Sequence, residues 1–160
     1  MVMKLVDYND PVLTKVCDVF DFSNPPFDPI VFSQELVKFM YDNNGLGLAA
    51  NQLGIPYAVF AMRGNPDNFV CFNPKVISYS ENYISLEEGC LSRKGLIVKV
   101  KRPDSVRVRF NTPNGDTRTK TFIGITARVF QHEMDHMNGE LYFNKASRYH
   151  RDVAMRKWRD

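Results

Sequence analysis

The run Gln131, His132, Glu133, Met134, Asp135, His136 holds two of the three histidines in this 160-residue chain, four positions apart. Residues four apart on a helix lie one above the other on the same face, so both imidazoles can reach one ion. Glu133 is rotated far enough round to face a bound water and take its proton, which is the arrangement of a metal-dependent hydrolase. So short a run also fits a buried histidine beside a solvated acidic face, and the rest of the chain must decide.

A catalytic divalent ion of this kind needs a third protein ligand and one open position. Downstream of His136 the candidates are Glu140, His150, Asp152 and Asp160, of which Glu140 is too near on the same helix to close round easily. Upstream, Cys90 lies in Glu87, Glu88, Gly89, Cys90, Leu91, Ser92, read as a loop between strands from which a thiolate could meet the helix face. A further run, Gly45, Leu46, Gly47, Leu48, Ala49, Ala50, Asn51, Gln52, Leu53, Gly54, lets backbone pass close to a ligand and brings the Gln52 amide, a donor for a developing oxyanion. Its other reading is a glycine-ended helix followed by a tight packing turn. No Lys followed by Ser or Thr comes after the glycines, which argues against a phosphate loop.

These groups need a scaffold, and the pattern predicts an α+β one: antiparallel strands around a central metal-binding helix, with N-terminal helices and a short C-terminal helix. Asp10 and Pro11 open a short helix through Val12, Leu13, Val16 and Cys17. Asp28 caps a clearer one, with Pro29 in its first turn and Asn43, Asn44 and Gly45 at its end. Short β-branched or aromatic runs follow at 57–62, 69–72, 76–79, 95–101 and 105–110. Asn114 and Gly115 then turn the chain back into 117–122, a hairpin with one wet face. Helical spacing returns over 126–138, stopped by Gly139, and a final helix covers 148–158.

Composition sets the class. With 44% hydrophobic residues, 160 residues make one domain spanning 1–160. A net charge of +3 does not argue for sequence-specific nucleic-acid binding. The charge is uneven, however: Lys145, Arg148, Arg151, Arg156, Lys157 and Arg159 face only Asp152 and Asp160 near the end. Three unspaced cysteines, Cys17, Cys71 and Cys90, the absence of a signal pattern and the lack of any membrane-length apolar run lead us to expect a cytoplasmic protein, in a bacterium or in the host of a virus. Cys17 and Cys71 read as small buried apolar residues.

Taken together and in order, Gly45 to Gly54, Glu87 to Ser92 and Gln131 to His136 resemble the peptide deformylases, and the resemblance covers nearly the whole chain. It implies a metal ion bound by Cys90, His132 and His136, with Fe²⁺ favoured in the cell and Zn²⁺, Ni²⁺ or Co²⁺ also suited to the ligands. Glu133 is then general base and acid, while Gln52 and the backbone amide of Leu91 stabilise the oxyanion. The implied reaction removes the N-terminal formyl group of formyl-methionyl nascent chains. Such a substrate pairs as an added strand at Leu46, Gly47 and Gly89, with its methionine among Leu46, Leu86 and Val129, which are equally explicable as core. Arg102 matches a position near the peptide, its other reading being a solvated strand-end charge. Asp135 is a candidate to orient a ligand histidine, and Glu88 to tie the cysteine segment to Arg102 or Arg128.

The resemblance further implies a monomer whose basic C-terminal helix touches the ribosome; that helix looks shorter than in typical bacterial members. Two other readings stay open. One is a zinc peptidase with a downstream third ligand, and the other a closed structural site of Cys71, Cys90, His132 and His136 with no position for water.

Overall fold

The computed structural model describes residues 3–159. Helix α1 (Pro29–Asp42) starts where Asp28 accepts hydrogen bonds from the amides of Ile30 and Val31, with Pro29 needing no partner for its missing N–H. Its buried face, Phe32, Leu36 and Met40, packs on Leu48, Val59, Ala61 and Phe72. Seven strands follow: β1 (Gly47–Ala49), β2 (Val59–Met62), β3 (Phe69–Tyr79), β4 (Tyr83–Cys90), β5 (Arg93–Pro103), β6 (Ser105–Asn111) and β7 (Thr117–Ile123). Helices α2 (Gly124–Met137) and α3 (Arg148–Arg159) complete the order.

The strands form two antiparallel sheets. One has five strands in the order β1-β2-β3-β6-β7; the other is the β4–β5 hairpin alone. Helix α2 runs between them, which explains why it is buried nearly all round. Its apolar side, Ala127, Phe130 and Met137, joins Phe60, Val108 and Phe122 in the core under the larger sheet. Phe130 alone contributes about 1.5–3 kcal/mol by leaving water, and its edge-on contact with Phe60, 5.1 Å between ring centroids, adds to this. The polar side of α2 faces the hairpin, where Leu96, Val98, Val100 and Tyr142 form a smaller core with Phe143 and Ala154.

The expected α+β architecture and its central helix are present. The differences are local. The expected first helix is only a single 3₁₀ turn, Pro11–Thr14, and the runs at 69–72 and 76–79 are one strand, β3, interrupted by irregular pairing with β6. The glycine run contains an edge strand, β1, and Cys90 is the last residue of β4 rather than part of a loop, because it pairs with Arg93 across a two-residue turn. No helix among the described residues is long and apolar enough to cross a membrane.

Candidate active site

Two elements, β4 and α2, bring the three potential ligands together. Cys90 comes from the end of β4, and His132 and His136 from successive turns of α2. Their ligand atoms all lie within 4.8 Å of one another, with 3.4 Å between Cys90 Sγ and His136 Nε2. Sulfur and nitrogen ligands on one tetrahedral ion stand about 3.5 Å apart, so this donor set fits a single divalent cation. Among the described residues it is the one cluster of three such groups. Glu140, His150 and Asp152 do not join it, and Asp160 lies outside the described residues. Cys71 does not join it either, for its β3 position puts it fully inside the core with Phe60 and Val108, so the closed four-ligand site is not formed.

Electrostatics separates the three thiols. Burial pushes Cys17 up to about 11 and Cys71 well above the ordinary thiol range. Burial acts on Cys90 in the same direction, but the imidazoles of His136 and His132 outweigh it and hold this thiol well below its usual value. Cys90 is thus the cysteine poised as a thiolate, the form a metal ligand requires.

Beside the ligands a cleft of about 520 Å³ is lined by Gln52, Cys90, Leu91, His132 and Glu133, and also by Leu46, Gly47, Leu86, Gly89 and Val129. Burial raises the Glu133 carboxyl to about 7, and its Oε1 is buried with no hydrogen-bond partner among the described residues. Such a group can accept and return a proton near neutral pH. Gln52 is held at both ends. Its Oε1 accepts from the Ala49 amide at 2.9 Å, and its Nε2 donates to Ser92 Oγ at 2.9 Å and towards Cys90 Sγ at 3.4 Å. The amide N–H groups therefore point at the ligand side of the cleft.

Gly47 shows why the glycine run is needed. A Cβ there would stand 2.6 Å from Glu133 Oε2 and 2.9 Å from Val129 Cγ1, so either the Glu133 carboxylate or the cleft wall would have to move. Gly47→Ala is expected to lower turnover about 10- to 100-fold while the thermal midpoint falls only slightly, which steady-state kinetics beside a melting curve would check.

Arg102 is the site residue the structure relocates. It does not line the cleft and is not a solvated strand end. Along β5, Leu96, Val98, Val100 and Arg102 alternate inward, so the guanidinium is buried. It pairs with Glu88 at 2.6 and 2.9 Å and with Asp135 Oδ2 at 2.9 Å. Glu88 also accepts from Arg128 Nη1 at 2.6 Å and lies 3.0 Å from His132 Nδ1. Both arginines therefore serve Glu88, whose carboxyl resists the upward push of burial and is drawn down to about 2 by His132 and Arg102. It is Glu88, not Asp135, that meets a ligand histidine; Asp135 instead secures Arg102, with Lys145 3.8 Å away. Oriented in this way, His132 presents its other nitrogen to the ligand cluster.

Three supports carried no expectation. Ser92 accepts the Gln52 amide, Asn51 Nδ2 donates to the backbone carbonyl of His136 at 2.9 Å, and the Tyr142 ring packs 5.2 Å from that of His132. Ser92 and Asn51 lie inside the recognised motifs, so proximity to Cys90 and Gln52 was a usable signal. Tyr142 had none.

The profile of the polypeptide deformylase family matches residues 2–152. The chain belongs to this family. Among curated deformylases, "Peptide deformylase 1B, chloroplastic" of Solanum lycopersicum is 36% identical over 148 residues, covering 89% of this chain and 52% of that protein. The peptide deformylase of Aquifex aeolicus is 32% identical over 99% of this chain and 95% of its own. The crystal structure of the deformylase from Thermus thermophilus superposes with a TM-score of 0.90 at 32% identity, covering 99% of this chain and 93% of that one. The chain thus spans about half the length of the Solanum deformylase and nearly all of the two bacterial ones.

Proposed function

We propose that residues 1–160 form one catalytic domain, a metal-dependent hydrolase that removes the N-terminal formyl group from formyl-methionyl polypeptides and releases formate. The observation that carries this is the Cys90, His132 and His136 cluster beside a buried, unpartnered Glu133 carboxylate on the wall of an open cleft. One divalent ion held by those three residues, Fe²⁺ in the cell and Zn²⁺, Ni²⁺ or Co²⁺ in other preparations, supplies polarisation of the formyl oxygen and acidifies water. Glu133 takes the proton of the attacking water and returns it to the departing amine nitrogen, so that formate and a free α-amine leave. Gln52 Nε2 and the Leu91 amide donate to the oxygen as negative charge forms on it.

The topology supports a peptide in the cleft. β1 is an edge of the five-stranded sheet, β4 pairs among the described residues with β5 alone, and residues of both line the cleft. An extended substrate can pair there as a strand through backbone near Leu46, Gly47 and Gly89. Its first side chain enters among Leu46, Leu86 and Val129. Arg102 has no part in this because its guanidinium is committed to Glu88 and Asp135.

The deciding experiment is formate release from formyl-Met-Ala-Ser by freshly prepared, oxygen-free protein. Formate with a free amino terminus is expected; cleavage at an internal bond instead would transfer the site to a peptidase.

A cytoplasmic monomer that meets the ribosome through α3 completes the reading. Arg148, Arg156, Lys157 and Arg159 are exposed on this helix. Changing Arg148, Arg156 and Lys157 together to Glu should lower co-sedimentation with ribosomes severalfold at low salt, since exposed charge attraction is screened as salt rises. Equal pelleting of the two proteins would remove the contact.

A further inference from the structure

Arg93 lies directly across the hairpin turn from Cys90, in the register of β4 and β5. Three rings from three separate segments surround its guanidinium: Tyr8 from the N-terminal segment at 4.5 Å, Phe143 at 4.6 Å and Trp158 from α3 at 5.1 Å. Two of the rings also meet each other, Tyr8 standing edge-on to Trp158 at 5.5 Å. Trp158 Nε1 donates to the Lys94 carbonyl at 3.0 Å, and its ring lies 3.7 Å from where a Cβ on Gly95 would stand. Gly95 has φ +84°, so a side chain there would be strained whatever the space. Lys94 and Gly95 in turn line the catalytic cleft.

The last turn of α3 therefore grips the first residues of β5, directly across the Leu91–Ser92 turn from Cys90. Besides that grip, the turn is held by its own hairpin pairing, by the Gln52 to Ser92 hydrogen bond and by packing of Leu91 and Cys90 against the two neighbouring cores. A ligand on a mobile turn leaves its ion more often than one on a fixed turn, because each excursion breaks one of three bonds to the ion.

We propose that Arg93, caged by Tyr8, Phe143 and Trp158, is a positioning residue for Cys90, and that through this cage α3 sets how firmly the catalytic centre retains its metal ion. The proposal rests on the ligand assignment above but not on the reaction, so its test is independent of formate release. Cation–π contacts of this kind are modest singly and act together here.

The test loads the full chain with Zn²⁺ and follows transfer of the ion to a chromogenic chelator. Arg93→Ala and Trp158→Ala should each speed release about fivefold to tenfold, and the double variant little more than either single, because both break one cage. Trp158→Phe, which keeps a ring over the guanidinium, should restore most of the slow release. Trp158 is the sole tryptophan, so acrylamide quenching of its fluorescence in the parent and in Arg93→Ala reports the cage directly, and Arg93→Ala should make it more accessible. If α3 merely adds stability, both variants melt earlier yet release Zn²⁺ at the parent rate from the folded state below the transition. That result would overturn the proposal, as would fully additive effects of the two substitutions.

Discussion

Glu133→Gln is expected to lower formate release by about 10³-fold while leaving one metal ion per chain in place. The substitution keeps the shape of the side chain, which is nearly fully buried, and removes only its capacity to take and return a proton. Glu133 is not one of the three clustered ligands, so metal content should not change. Stability should hold or rise, because burial pushes this carboxyl up to about 7 and a neutral amide carries no desolvation cost of charge. Turnover, metal content by mass spectrometry and the melting midpoint, measured on one preparation, separate loss of chemistry from loss of site. A variant that keeps more than a tenth of parental turnover would end the role assigned to Glu133 as base.

The three α-helices were legible because their signals are local. Asp28 with Pro29, and the four-residue histidine spacing, each specify a structure within a few neighbouring residues, and the observed α1 and α2 agree closely with them. β4 was missed for the opposite reason. Its exposed Tyr83, Ile84 and Leu86 and its acidic Glu87 show no clean alternation, and only pairing with β5 makes a strand of them. β1 is three residues long and hidden in a glycine run that reads equally well as a turn. The three motifs hold most of the residues that line the cleft, since each places its own backbone beside the ligands, whereas Lys94, Gly95, Ile125 and Arg128 lie outside them. What they did not disclose was the direction of Arg102. That follows from counting inward alternation from Leu96 along β5, a register set by the Tyr142 and Phe143 core rather than by the residues around Arg102.

Arg102→Leu is the second large effect, and it separates a buried structural ion from a substrate contact. In the parent, one guanidinium satisfies Glu88 with two bonds and Asp135 with one, all three groups being almost fully enclosed. Leucine leaves Glu88 with Arg128 and His132, but leaves Asp135 with only Lys145 at 3.8 Å. Burial already pushes the Asp135 carboxyl above its ordinary range despite Arg102. A buried charge stripped of its partner costs about 3–5 kcal/mol, which for a chain of this length lowers the melting midpoint by about 10 °C or more. His132 loses part of its orientation as Glu88 relaxes, so metal affinity should fall about 10- to 100-fold. Adding Asp135→Asn to Arg102→Leu should recover a good part of the midpoint, because it removes the stranded charge rather than restoring the pair. Had Arg102 touched substrate, the same leucine would instead raise KM with the midpoint and metal content unchanged. The two accounts therefore diverge in a melting curve taken without any substrate present.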